Sequence, residues 1–355
     1  MKVSLINHSS LLFKFDKTSI LTDFWSDTPA FGSWLPSAPP IYHPMYLASL
    51  SYQKDFIFCV SHAHDDHIDN KLLKNYFNKE MKIILAKFPS PSLKKRMQKL
   101  GFRNFYEIEN DKILRINGFE CMTIFDTSVS NDDCGIAFRD NEYCVYHGND
   151  NHFILSEKNK NRLKDFAKHR KFLFCSQTNS ASGYPISYYE LSPKEIKDEL
   201  EKKVLKMVKN GLTNTKNCDA DYFFPYAGYS KTYVKGQNYH QMNIDPIYKN
   251  LCSIAEKDPE INNLDKMVNI FCGGTINLKT ISRLNTSIIA GSANNQLAHQ
   301  KYMHLIEEKN ILYAPDFLIN AGGLMNVSIE FEGWNDEKAK RMVDTIYRQT
   351  IQVLK

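Results

Sequence analysis

The stretch FIFCVSHAHDDHIDN, residues 56–70, decides how this chain is read. Its first five residues are apolar and read as a buried strand. The strand runs straight into His62, His64 and His67, with Asp65 and Asp66 between them. In extended backbone, residues two apart point the same way, so His62 and His64 converge on one point. The turn that follows brings Asp66 and His67 to a second point nearby. Imidazole with carboxylate suits zinc, iron or manganese. Desolvating so many polar groups without an ion would be costly.

Outward from this segment the chain alternates strands and helices. Upstream, KVSLIN (2–7), SLLFKF (10–15) and TSILTDF (18–24) are short apolar segments separated by turn signals. A loop rich in Pro, Ser and aromatics fills 26–43. Downstream, helical patterning covers about 68–77, KIILA reads as a strand, and a helix is expected near 91–100 with Ser90 as cap and Pro91 in its first turn. β segments then occupy 104–147, and a long helix starts at 192. From 266 the rhythm changes to strand, Gly-Gly turn, helix, strand, helix, strand and terminal helices, which predicts a parallel α/β arrangement.

Composition narrows the class. The 355 residues are 43% hydrophobic and 24% charged, which excludes a disordered or collagenous chain. The net charge of +5 is spread among nearly as many acids, so no nucleic-acid partner is expected. No apolar run is long enough to span a bilayer, so no membrane partner is expected either. Lys14, Asp16 and Lys17 interrupt the N-terminal apolar stretch, and a cytoplasmic location is expected. The eight cysteines form no C-x-x-C pair and sit within apolar runs, as buried free thiols would.

The H-x-H-x-D-H spacing after a strand resembles the signature of the metallo-β-lactamase superfamily. YCVYHGND supplies a later metal-bridging acid as Asp150. The resemblance reaches about residue 240 and implies an αβ/βα sandwich, with His62, His64, Asp66, His67 and Asp150 at the metal site. Asp66 or Asp150 would orient the reacting group. PAFGSWLP (29–36), SQTNSASGYP (176–185) and FFPYAG (223–228) are similar to the branch containing CMP-N-acetylneuraminate hydroxylase and ascorbate-phosphate lactonase.

This sequence departs from the usual pattern twice. No histidine occurs from 68 to 146, where the superfamily has a third one, and FPYAG replaces the final histidine. FDTSVSNDDCG (125–135) offers acids instead. Asp126 is the expected replacement ligand, whereas Asp132 and Asp133 read at least as readily as turn residues. Carboxylates in place of imidazoles favour iron or manganese over zinc. His8, His147 and His152 could approach the ions. Trp34, Tyr184, Tyr188 and Tyr226 could line a pocket, with core packing the commoner role of such residues.

FCGGTINLKTISRLNTSIIAGSANNQLA (271–298) and ILYAPDFLINAGGLMNV (311–327) resemble the cofactor-domain end of leucine, phenylalanine and glutamate dehydrogenases. That resemblance places Asn320 near a nicotinamide. The chain has no G-x-G-x-x-G turn to hold a pyrophosphate, so NAD binding is not expected.

The expected organisation is therefore a metal-binding catalytic domain over 1–245, a linker over 246–265 and a partial Rossmann-like domain over 266–355. The last would support packing, a homodimer or substrate shaping; the alternative is that it binds part of a nucleotide. Three functions compete. One is a non-haem iron oxygenase acting on a small polar substrate, a nucleotide sugar or an amino acid, with an external electron donor. Another is a zinc hydrolase of lactone, phosphoester or amide bonds. The third is a scaffold with a relict metal site.

Overall fold

A computed structural model describes the chain except residues 27, 37–39, 117, 126–132, 186–189, 229, 233–275, 277–280, 283, 285–287, 290–296, 298, 316–335 and 354–355. The chain divides into two units, Met1–Met267 and Val268–Lys355.

The first unit is built on two six-stranded sheets. Strands β1 (Lys2–Asn7), β2 (Ser10–Lys14) and β3 (Ser19–Thr22) run antiparallel. Beside β3 and parallel to it lie β5 (Phe56–Val60), β6 (Lys82–Ala86) and β7 (Phe105–Ile108). Parallel neighbours need crossovers. These are supplied by α1 (Pro44–Leu50), α2 (Asn70–Asn75) and α3 (Ser92–Lys99).

The second sheet repeats the plan. An antiparallel run of β8 (Ile113–Ile116), β9 (Phe119–Ile124), β10 (Gly135–Arg139) and β11 (Tyr143–His147) precedes parallel β12 (Lys171–Gln177) and β13 (Tyr222–Tyr226). Helices α4 (Glu157–Ala167) and α5 (Pro193–Asn217) make its crossovers. Helix α5 opens on a capping box between Ser192 and Glu195, with Pro193 in its first turn.

The sheets share one core. Phe13 and Phe58 of the first sheet cluster with Phe138, Cys175 and Phe224 of the second, and the Phe13 and Phe138 rings lie 4.7 Å apart. Leu47, Leu72 and Met97 bring α1, α2 and α3 into the same cluster. On the far face of the second sheet, Tyr146 and Phe174 pack against Leu163 of α4 and Val208 of α5. The layer order is helix, sheet, sheet, helix, which is the expected αβ/βα sandwich. β3 and β5 are parallel in one sheet and β11, β12 and β13 in the other, and their C-terminal ends meet. Ligands of α/β sheets gather at such ends.

Several local expectations are corrected. Pro91 sits in the cap position of α3, while the Ser90 hydroxyl accepts from the Ser92 N–H at 3.3 Å. The 26–43 loop contains β4 (Trp34–Pro36), paired with β14 (Ser230–Thr232). Helix α4 leaves little periodic trace in the sequence, because only its Leu163, Phe166 and Ala167 give it a buried apolar stripe.

In the second unit, a two-residue strand Ile288–Ile289 pairs parallel with Leu312–Tyr313. Helix Met303–Glu308 lies between them in the chain, and a helix spans Asp336–Val353. Ile276, Ile281, Ile306, Ile311 and Tyr313 form its small core. Asn320 and Tyr188 lie outside the described residues. Among the described residues no helix is long and apolar enough to cross a membrane. Cys59, Cys121, Cys134, Cys144, Cys175 and Cys218 are buried free thiols.

Candidate metal centre

The end of β5 sets the geometry. His62 and His64 follow it directly, and their rings approach to 2.8 Å between Nε2 of His62 and Nδ1 of His64. The His67 amide then donates to the His64 carbonyl at 3.3 Å, closing a turn that swings Asp66 and His67 to the other side. Asp150, just beyond β11, stands between the two groups. Its Oδ2 is 3.6 Å from Nε2 of His62, and its Oδ1 is 3.3 Å from Nε2 of His67.

Two sets of ligand atoms result, each within 4.8 Å of one another. One is His62, His64 and Asp150; the other is His8, His67 and Asp150. Asp66 belongs beside the second, with its Oδ2 3.4 Å from Nε2 of His8 and 3.9 Å from Nε2 of His67. His8 thus joins the expected residues from the β1–β2 turn. His152 is in neither set; its Nδ1 lies 3.0 Å from the Gln177 side chain and 2.8 Å from the Asp150 carbonyl.

Asp133 has its Oδ1 3.3 Å from Nδ1 of His62, the ring nitrogen opposite the one that faces His64 and Asp150, and it belongs to neither ligand set. Asp126 and Asp132 fall outside the described residues. Asp65, between the motif's ligands, turns outward to Arg96 at 2.8 Å. It also accepts from the Phe31 N–H at 3.3 Å, so the 29–36 loop leans on the motif. The exposed Phe31 ring stands 6.0 Å from that of His64 and 5.9 Å from that of Trp34. Tyr184 is exposed and donates to Glu199 at 3.2 Å.

The donor chemistry fits an ion. Both ring nitrogens of His8, Nε2 of His67 and one oxygen each of Asp66, Asp133 and Asp150 are buried without a hydrogen-bond partner. Such orphans are rare, and here they converge. Burial, then the His62 and His67 charges, lowers the His64 pKa and leaves its ring neutral for coordination. Burial opposes charge on Asp150, but the charges of His67 and His62 hold the carboxyl well below its usual range. Burial resists charge on His67 too, yet Asp150 and Asp66 raise its pKa well above the ordinary value. Burial and then neighbouring Asp150 push Asp133 up, with His62 opposing.

A further layer was not legible in the sequence. Asp23, at the end of β3, accepts from the Ser61 N–H at 2.8 Å and faces His147 Nε2 at 2.7 Å and His67 Nδ1 at 3.3 Å. Its only sequence signal is an acid inside the apolar run TSILTDF. His147 lies between Asp23 and Tyr226, with one ring nitrogen toward each. His8, Asp23, Phe31, Asn149 and Ala227 all have positive φ, between 41° and 59°. Left-handed non-glycine residues are uncommon and gather at functional sites.

No protein-family model matches the chain. Part of it is 40% identical over 109 residues to leucine dehydrogenase of Thermoactinomyces intermedius, covering 28% of this chain and 30% of that protein. The chain spans less than a third of the curated relatives it matches. Among solved structures, CmlA, a diiron beta-hydroxylase from Streptomyces venezuelae, is 12% identical with a TM-score of 0.42, covering 63% of this chain and 44% of that one. The metallo-beta-lactamase fold protein YhfI from Bacillus subtilis is 15% identical with a TM-score of 0.41, covering 70% and 86%. The N-terminal region is thus similar to metallo-beta-lactamase-fold proteins, and a C-terminal segment to amino-acid dehydrogenases.

Proposed function

We propose that residues 1 to about 240 form a metal-dependent enzyme with two ion positions sharing Asp150, and that it is an iron oxygenase acting on a small polar substrate. The observation that carries this reading is the buried Asp66 carboxylate beside His8 and His67, with Asp150 common to both ligand sets. These carboxylates add oxygen donors to the imidazoles, which favours harder ions than zinc.

Iron at these positions would supply dioxygen chemistry. The chain's own residues define the surroundings. His62, His64 and Asp150 would hold one ion, and His8, Asp66, His67 and Asp150 the other. Phe31 offers an exposed apolar face beside His64, against which a substrate of the amino-acid or nucleotide-sugar kind can pack. Hydroxylation inserts one oxygen atom of dioxygen into a C–H bond, uses two electrons and two protons, and releases water. The two electrons would come from an external donor.

A second reading, a zinc hydrolase, is favoured by His8. That ring brings the imidazoles to four, restoring nitrogen where the sequence seemed to lack it. Elemental analysis of protein purified without added metal, with its visible spectrum, separates the two. About two irons per chain, with turnover that requires oxygen, is expected. Zinc at full stoichiometry, with hydrolysis persisting under nitrogen, would replace the oxygenase by the hydrolase.

A further inference from the structure

The geometry points to His147 and Tyr226 as positioning residues that hold one ring nitrogen of His67 open for an ion. The inference rests on the metal-centre reading above and extends it to side chains that touch no ion.

The side chains form one buried chain. His67, Asp23, His147 and Tyr226 are each at most 1% exposed. Oδ2 of Asp23 faces both Nε2 of His147, at 2.7 Å, and Nδ1 of His67, at 3.3 Å. The Tyr226 hydroxyl contacts Nδ1 of His147 and lies 2.8 Å from the Asn149 N–H. Asn149 adjoins Asp150, so the chain begins at one proposed ligand and ends beside another.

Hydrogen bookkeeping fixes the polarity. The Asn149 N–H can only donate, so the Tyr226 oxygen accepts from it and gives its own hydrogen to Nδ1 of His147. Burial pushes the Tyr226 hydroxyl pKa well up, which keeps that hydrogen in place. With Nδ1 accepting, His147 carries its hydrogen on Nε2 and donates to Asp23. An ionised carboxylate only accepts, so His67 also donates to it, from Nδ1. The Ser9 hydroxyl, 3.2 Å away, shares that contact. The lone pair for an ion is then left on Nε2 of His67, the atom that faces Asp150 and Asp66. Carboxylates that orient ligating histidines are common. Here the carboxylate is itself fixed by a second imidazole, and that imidazole by a phenol.

The test uses the full-length protein and cobalt(II), titrated against a chelator and followed by its visible bands. Outer partners of this kind are worth about ten- to a hundredfold in metal affinity. Tyr226→Phe is therefore expected to weaken cobalt at the His67 position by about tenfold or more and to shift its band. The His62–His64 position should stay within about threefold. His147→Gln, which keeps a donor and an acceptor, should bind closer to wild type than His147→Leu. Phe174→Leu, a packing change outside the centre, should lower the melting temperature and move neither affinity.

Cobalt bound as in wild type by both Tyr226→Phe and His147→Leu would overturn the inference alone. Wild-type protein that takes up no cobalt would overturn the metal-centre reading and the inference with it. Should the variants fail to fold, nitrogen NMR of the zinc-loaded wild type decides. Hydrogen on Nε2 of His147 and on Nδ1 of His67 is expected; hydrogen on Nδ1 of His147 overturns the assignment.

Discussion

His8 stands at the tip of the first hairpin with φ of 42° and both ring nitrogens buried without a hydrogen-bond partner. Its replacement by Ala is expected to weaken one of two metal equivalents by at least about tenfold and to spare the other. Chelator competition measures this, and two unchanged equivalents would remove His8 from the ligand set. His67 carries the pH dependence. Its pKa is raised in the folded, metal-free chain. Its imidazolium therefore contributes stability that is complete below the unfolded value of about 6.5 and is lost as the pH climbs through the raised folded value. An ion takes the place of that proton and removes the dependence. Melting temperatures with chelator should fall as the pH rises above about 6.5, and loaded protein should not share that slope. A metal-free protein without the slope would refute the charged state of His67. The residues legible in the sequence were those in one strand-and-turn segment, His62, His64, Asp66 and His67, together with Asp150. Asp23 meets His147 across 124 residues and Ser9 meets His67 across 58, pairings that no local spacing encodes.

At the scale of elements, the exit from β13 is the tightest point. Tyr226 ends the strand, Ala227 donates its N–H to the His8 carbonyl at 3.1 Å, and Gly228 follows at φ of 79°. A Cβ on Gly228 would collide with the Asn179 carbonyl. Gly228→Ala combines that collision with a left-handed backbone, and about 1–3 kcal/mol of destabilisation is expected in denaturant unfolding. A loss below about 0.5 kcal/mol would show that the turn relaxes freely. Strands such as Phe56–Val60 were legible because continuous apolar runs demand burial on both faces. Helix α1 was not, since seven residues beginning at Pro44 give too little periodicity to register. Its cap is also unusual, with the His43 ring accepting from the Met45 N–H at 3.2 Å.

Over the whole molecule, the two units carry different kinds of information. The first assembles a centre from loops of both sheets. The second pairs two short parallel strands and lacks the Gly-rich turn of a dinucleotide site. Asn320→Ala is accordingly expected to leave metal content unchanged and metal-dependent turnover within a few-fold of wild type. Complete loss of turnover would make the C-terminal segment a participant in the chemistry. The sandwich order was legible only through the H-x-H-x-D-H signature. Strand and helix alternation by itself reads simply as α/β, because the pairing of one sheet face with another leaves no periodic trace in sequence.

The centre draws on positions 8, 23, 62–67, 133, 147–150 and 226, and this dispersal has a kinetic consequence. His8, Asp23 and the 62–67 cluster all come from the first sheet, whereas the partners at 133, 147–150 and 226 arrive only after the two sheets have docked. Such long-range closure is slow and comes late. An ion is therefore captured by a chain already folded, and does not template it. Added metal should leave the refolding rate of the first unit almost untouched and slow its unfolding. Stopped-flow traces with and without chelator would show this, and faster refolding in the presence of metal would mean that the 62–67 cluster nucleates the fold.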